Sequence, residues 1–251
     1  MRGLSIILLA LAVGCTGIRK QRQVVAVEAP LYAFDLTSEV AGLKQSVSFN
    51  TEGASFGLEN TPSYLVLDSL PTVQGDFNLS FWLRSTSEKG DYTQTYLRAY
   101  NSEDRQVNIN LGIGGFRLTG NLNSNTFSAK NFAQGNAASR QYYDLPRLEV
   151  GKFYFVSVNK AGGTIEIYVN AERYQDFDFD SDTELQFDRI LLGVLNTSGD
   201  YVNQFTGNIR NLQVFAKTLS EDEIYSLSVK TYPEIKAFND AFELSKFNLD
   251  N

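Results

Sequence analysis

The side chains with which this sequence could do chemistry are carboxylates, tyrosines, lysines, arginines, hydroxyls and one cysteine. It contains no histidine, one cysteine and one methionine, Met1. Nucleophilic sites of the Ser-His-Asp or Cys-His type are therefore excluded, as is any histidine-based metal site. A lone cysteine also excludes an intrachain disulfide. The densest chemical run is Asp176-Phe-Asp178-Phe-Asp180-Ser-Asp182-Thr-Glu184. On a strand the side chains alternate, so Asp176, Asp178 and Asp180 share one face. Like charges stacked in this way repel unless solvent or a cation screens them. Calcium accepts about six to eight oxygens and fits such a set. The other reading is a solvated edge strand whose charge blocks edge-to-edge pairing. The run is not an EF-hand: counted from Asp178, Thr183 stands at the glycine position and Arg189 at the final glutamate.

Tyrosines form the second set. Sugar sites stack pyranose rings on aromatic faces and bond the hydroxyls through polar side chains. Tyr92, Tyr142, Tyr143 and Tyr201 all lie in loop-like stretches, where binding groups concentrate. The single tryptophan, Trp82, falls on the strand face opposite the core row, with Asn78, Ser80 and Arg84. It reads as a packed residue that another layer must cover, with an open platform as the alternative.

Cys15 ends a short apolar run, Leu4 to Val13, that follows Arg2. Ten or so residues are too few to span a bilayer and have the proportions of a secretory signal. Ala12-Val13-Gly14-Cys15 resembles the bacterial lipobox, although Ala12 stands where leucine is favoured. The resemblance implies a signal peptide over residues 1–14, a lipidated Cys15 and a lipid anchor in the cell envelope, at the outer membrane. Residues 15–30 then form a tether.

The elements that must position these groups are strands. Leu31 to about Thr218 reads in period two, with Phe77, Leu79, Phe81 and Leu83 on one face of the clearest strand. Further candidates are Tyr64–Leu67, Tyr96–Tyr100, Val107–Leu111, Phe153–Val158, Thr164–Val169, Arg189–Leu195 and Ile209–Phe215. Gly162-Gly163 supplies a hairpin connection. Residues 119–147 are rich in Asn and Ser, with little strand pattern; a loop of that length is usually functional or mobile. Helical signals begin only at Ser220, where Ser220 and Glu223 have capping-box spacing. After Pro233, residues Ile235, Phe238 and Phe242 recur at helical spacing, predicting a helix that docks back on the sandwich.

Several of these segments together resemble laminin G-like domains. Gln204-Phe-Thr-Gly-Asn-Ile-Arg-Asn-Leu is similar to their F-x-G-x-I strand, and Lys217-Thr-Leu-Ser-Glu-Asp-Glu-Ile resembles the ending of their bacterial relatives. Asp76-Phe-x-Leu-Ser-Phe-Trp-Leu83, Gly151-Lys-Phe-Tyr-Phe-Val-Ser-Val158 and Ile165-Glu-Ile-Tyr-Val-Asn170 resemble other strands of the family. Ala171 replaces the family's turn glycine. The resemblance implies an all-β fold: a two-sheet antiparallel jelly-roll sandwich of the concanavalin A-like kind over residues 31–228, with a short C-terminal helical segment over 229–251. It also implies that Asp104, just before a strand, is a second candidate calcium ligand.

A net charge of −7 argues against nucleic acid as a partner. The E-x-D-x-E strand motif of the fold's glycoside hydrolases is absent, and lyases on such sandwiches typically use a histidine or tyrosine base. The expectation is a non-enzymatic envelope lipoprotein that binds glycan or glycoprotein. The alternative is a structural or adhesion lipoprotein with a protein partner, engaged through the C-terminal helix; deleting residues 231–251 discriminates the two.

Overall fold

The computed structural model describes residues 22–57, 61–87, 94–103, 108–114, 117–122, 148–178, 185–197 and 200–249. Two antiparallel sheets dominate the described residues. The larger, sheet A, runs β13 (Glu172–Asp178), β12 (Thr164–Val169), β11 (Tyr154–Ala161), β7 (Phe77–Ser85), β18 (Gly207–Phe215), β4 (Gly53–Phe56) and β3 (Ser48–Asn50), with β1 (Tyr32–Phe34) also on β18. Sheet B runs β10 (Arg117–Leu122), β9 (Asn108–Gly114), β8 (Gln94–Tyr100), β15 (Arg189–Leu192), β5 (Tyr64–Leu67) and β2 (Leu43–Gln45). Two short ribbons complete the set: β6 (Val73–Gln74) with β14 (Gln186–Phe187), and β16 (Leu195–Thr197) with β17 (Asp200–Val202).

Period two explains the core. Phe77, Leu79, Phe81 and Leu83 of β7 enter one apolar cluster with Leu65, Leu67, Leu97, Ile109, Ile190 and Leu192 of sheet B. The alternate residues of β7 point the other way, as the sequence predicts, and something has to cover them.

That layer is helix α1 (Glu221–Leu249). Its start is the predicted capping box: Glu223 N donates to Ser220 Oγ at 3.3 Å, and Ser220 N donates to Glu223 Oε2 at 2.8 Å. The helix does not restart after Pro233, as the sequence reading has it; Pro233 lies inside one continuous helix. Proline there removes a hydrogen bond to the carbonyl of Val229, a residue 41% exposed. The buried contacts on either side of Pro233 hold the helix to sheet A and outweigh the defect.

Trp82, Phe155, Tyr168 and Phe215 of sheet A, with Phe153 just before β11, pack with Leu219, Ile224, Leu227 and Ile235 in a second cluster beneath the helix. Trp82 Nε1 donates to Thr231 Oγ1 at 2.8 Å. Asn239 works as a two-way clamp, accepting from Phe153 N at 2.9 Å and donating to its carbonyl at 3.1 Å. Lys152 Nζ lies 2.6 Å from Glu243, a bond that raises the lysine's pKa.

A buried polar network sits between the sheet and the approach to the helix. Asn78 Nδ2 donates to Ser157 Oγ and Asn159 Oδ1, and Ser80 Oγ donates to Asn78 Oδ1. Asn159 then clamps the backbone of Leu219, accepting from its N–H at 3.0 Å and donating to its carbonyl at 2.8 Å. Every bond is satisfied by a neighbour, which is the condition for polar groups to be buried without penalty.

Residues 22–28 do not hang free as the tether expectation has it. Arg22 donates to the carbonyl of Ala171, Gln23 N to Asp222 Oδ1 and Val25 N to Ser226 Oγ, while Glu28 pairs with Lys217. Val27 packs on the second cluster. The segment is a strap along the first turns of α1.

Candidate functional site

With α1 and the strap over the outer face of sheet A, the other broad surface of the sandwich is the outer face of sheet B. Its residues follow from alternation. Leu97 and Ala99 of β8 enter the core, so Arg98 and Tyr100 face outward; Leu65 and Leu67 of β5 leave Tyr64 and Val66 outward. By the same count Asn110 of β9, and Arg189 and Leu191 of β15, lie on that face.

Register brings these residues together. Arg98 stands opposite Asn110 on β9 and Leu191 on β15. Leu191 stands opposite Val66, and Tyr100 opposite Arg189. The Arg98 guanidinium lies 5.3 Å from the centre of the Tyr100 ring, within cation–π range. Tyr64, Tyr100, Leu191 and Val194 form a third apolar cluster. Arg98, Tyr100 and Asn110 are buried, whereas Arg189 and Val66 are partly exposed. The face therefore presents the Arg189 guanidinium and Val66 at its surface, above buried Tyr64, Arg98, Tyr100 and Asn110 in adjoining register positions. This is the donor and stacking chemistry that saccharide recognition uses.

The predicted site residues fall mostly elsewhere. Cys15, Tyr92, Asp104, Tyr142, Tyr143 and Asp180 lie outside the described residues. Asp176 and Asp178 occupy the end of β13, opposite Glu166 and Thr164 of β12. Because β13 is an edge strand of sheet A, these positions fit the edge-blocking reading of the acidic run. No three metal-ligating side chains converge among the described residues. Tyr201 is the middle residue of β17, opposite Asn196.

The connections sort the calls by end. Thr86 N donates to the carbonyl of Thr206, whose own N–H donates to Gln94 Oε1. Thr95 N donates to the carbonyl of Asn203, just after β17. The connection that carries Tyr92 and the ribbon that carries Tyr201 thus start from one end of the sandwich. The Asp178 end of β13 and the Tyr100 end of β8 belong to the opposite end, on different sheets.

Gln204 locks the first end. Its side chain accepts from Ser63 N at 2.7 Å and donates to the carbonyls of Ser63, Gly193 and Phe205.

A family model of the concanavalin A-like lectin/glucanases superfamily matches residues 59–225. The chain belongs to this superfamily. Solved structures agree on the fold. The binding domain of botulinum neurotoxin serotype D superposes with a TM-score of 0.50 at 16% identity, over 74% of this chain and 45% of that one. The same toxin's ligand-binding domain in complex with N-acetylneuraminic acid gives 0.50 at 17% identity, over 74% and 44%. A heptameric SAP-like pentraxin from Limulus polyphemus gives 0.51 at 15%, over 69% and 80%. This superfamily member spans about half the length of the toxin domains. No curated protein matches it by sequence.

The resemblance read from the motifs is thus confirmed, and the superfamily's F-x-G strand has a visible cause. A Cβ on Gly207 would stand 2.0 Å from the carbonyl oxygen of Arg84 and 2.6 Å from the Phe205 ring. The Arg98–Tyr100–Arg189 group escaped the sequence reading. Its signal was present as an Arg-x-Tyr alternation in one strand and an arginine at the start of another. Only pairing across sheet B makes it a group.

Proposed function

We propose that this protein is a non-catalytic glycan-binding module held on the bacterial cell envelope by a lipid on Cys15. The observation that carries the reading is the outer face of sheet B in a concanavalin A-like sandwich, where partly exposed Arg189 stands over a buried layer of Tyr64, Arg98, Tyr100 and Asn110. The botulinum domain crystallised with N-acetylneuraminic acid and the pentraxin share the fold, which supports the reading by analogy only. The missing E-x-D-x-E motif supports binding without turnover.

The test is thermal unfolding of the purified full-length chain against a panel of polysaccharides, each with calcium and with chelator. A ligand present at 100 times its Kd adds about 2.7 kcal/mol to the folded state. The expected result is a raised midpoint that Tyr100→Ala and Asn110→Ala abolish. A calcium-dependent shift that needs Asp178 and Asp180 assigns a cation to the acidic run. Labelled lipid on the wild type but not on Cys15→Ala tests the anchor.

The helix is a poor candidate for the alternative, a detachable protein-binding tail. Deleting residues 231–251 removes Thr231, Ile235 and Asn239 and uncovers Trp82 and Phe153. That truncation reports on folding before it reports on partnership.

A further inference from the structure

We propose that the saccharide is acidic, and that Arg189 receives its carboxylate at the partly exposed margin of the outer face of sheet B. This rests on the glycan-binding reading and names its ligand class. The chain as a whole carries −7 and repels anions, so an anionic ligand needs a local cation. Most described cations are spent within the fold. Arg84 is bonded to Glu52, Arg210 to Glu234, Arg173 to Glu166 and Lys152 to Glu243. Arg189 is different: no described carboxylate forms an ion pair with it, and it stands opposite Tyr100, over which Arg98 lies.

Two carboxylates neighbour Arg189 without pairing with it. Asp188 precedes it and is held by Ser102, through the backbone N–H at 2.8 Å and the hydroxyl at 2.5 Å. Asp68 follows β5 one step past the Ile190–Leu67 pair, at the position facing Arg189, and the two form no ion pair. A guanidinium presents a planar fork that a carboxylate matches with two bonds, which an ammonium cannot do. The Tyr100 wall beside it excludes part of the water, so the contact is screened less than an open surface pair.

The experiment uses the full-length chain and three probes: polygalacturonate, its fully methyl-esterified form and heparin. Esterification removes the charge and leaves the sugar. The expected result is binding to polygalacturonate, loss of tenfold or more on the ester, and weakening as salt is raised. Arg189→Gln and Arg189→Lys should each lose tenfold or more, whereas Asp68→Asn should tighten binding. Unchanged emission from Trp82 shows that the variants are folded. Equal binding of acid and ester overturns the proposal while leaving the glycan reading intact. So does full affinity in Arg189→Gln, or binding to heparin alone, which moves recognition to sulfate. Binding to none of the three overturns this proposal, and the glycan reading then stands or falls on the polysaccharide panel.

Discussion

The indole N–H of Trp82, in the middle of sheet A, donates to the hydroxyl of Thr231, in the middle of the C-terminal helix, at 2.8 Å. Trp82 is 2% exposed. A buried donor left without its acceptor costs about 1–3 kcal/mol. Thr231→Val keeps the shape and removes the acceptor, so it should lower stability by that amount in urea denaturation. The lone tryptophan reports the transition directly: its emission should red-shift as the helix leaves the sheet.

Asn159 joins the two halves of that interface. It bonds Asn78 in the sheet and both backbone groups of Leu219 ahead of the helix. Asn159→Ala orphans several of these at once, and the network members strengthen one another. The expected loss is about 2–4 kcal/mol, larger than for Thr231→Val. Equal losses for the two variants would show that the network contributes no more than a single bond.

Glu223 gives the cap a pH dependence. Burial pushes its carboxyl pKa up, but the bonds from Ser220 N–H, Lys217 and the Ser220 hydroxyl more than reverse this and hold it below the ordinary value. A group with a lowered folded pKa stabilises the protein above its unfolded pKa. That contribution is lost as the pH falls through the folded value. Glu223→Gln should therefore be less stable than wild type near neutral pH, and the two should converge once the pH has fallen below the lowered folded pKa. Denaturation midpoints across that range check the sign.

Gly207→Ala tests the motif glycine. The new methyl would meet the Arg84 carbonyl, a backbone atom that cannot swing aside. Overpacking of this kind costs about 1–3 kcal/mol. Gly162→Ala is the control, since a Cβ there meets nothing within 4 Å. At its φ of +51° an alanine pays only backbone strain. Gly207, at φ +155°, adds its own backbone strain to the clash, so its loss should exceed that of the control.

Local signals were legible in the sequence, and long-range pairings were not. The capping box needs residues three apart, and Ser220 with Glu223 forms as read. The Gly162-Gly163 hairpin closes as read, with Ala161 opposite Thr164. Period two placed Trp82 on the face away from the core. Its partner, however, is 149 residues away, and no local pattern names it. Pro233 suggested a break because its cost is local, whereas the packing that overrides it spans the sheet. The same limit hid Arg189, whose meaning depends on standing opposite Tyr100. At Ala171 the sequence showed a family glycine replaced. The structure shows the consequence, a buried alanine at φ +63° that follows Asn170 at +50° in a tight turn.

The strap over residues 22–28 has a mechanical consequence. Arg22 is fastened beside the β12–β13 turn, and only six residues separate it from Cys15. A fully extended chain of that length reaches about 25 Å. Anything holding Cys15 therefore keeps Arg22, and the helical side of the sandwich to which it is fastened, within that reach. Tension applied at Cys15 runs into the first turns of α1 as shear across several bonds at once. A load bound on sheet B would pass through the core between the sheets before it reached Trp82 and the helix.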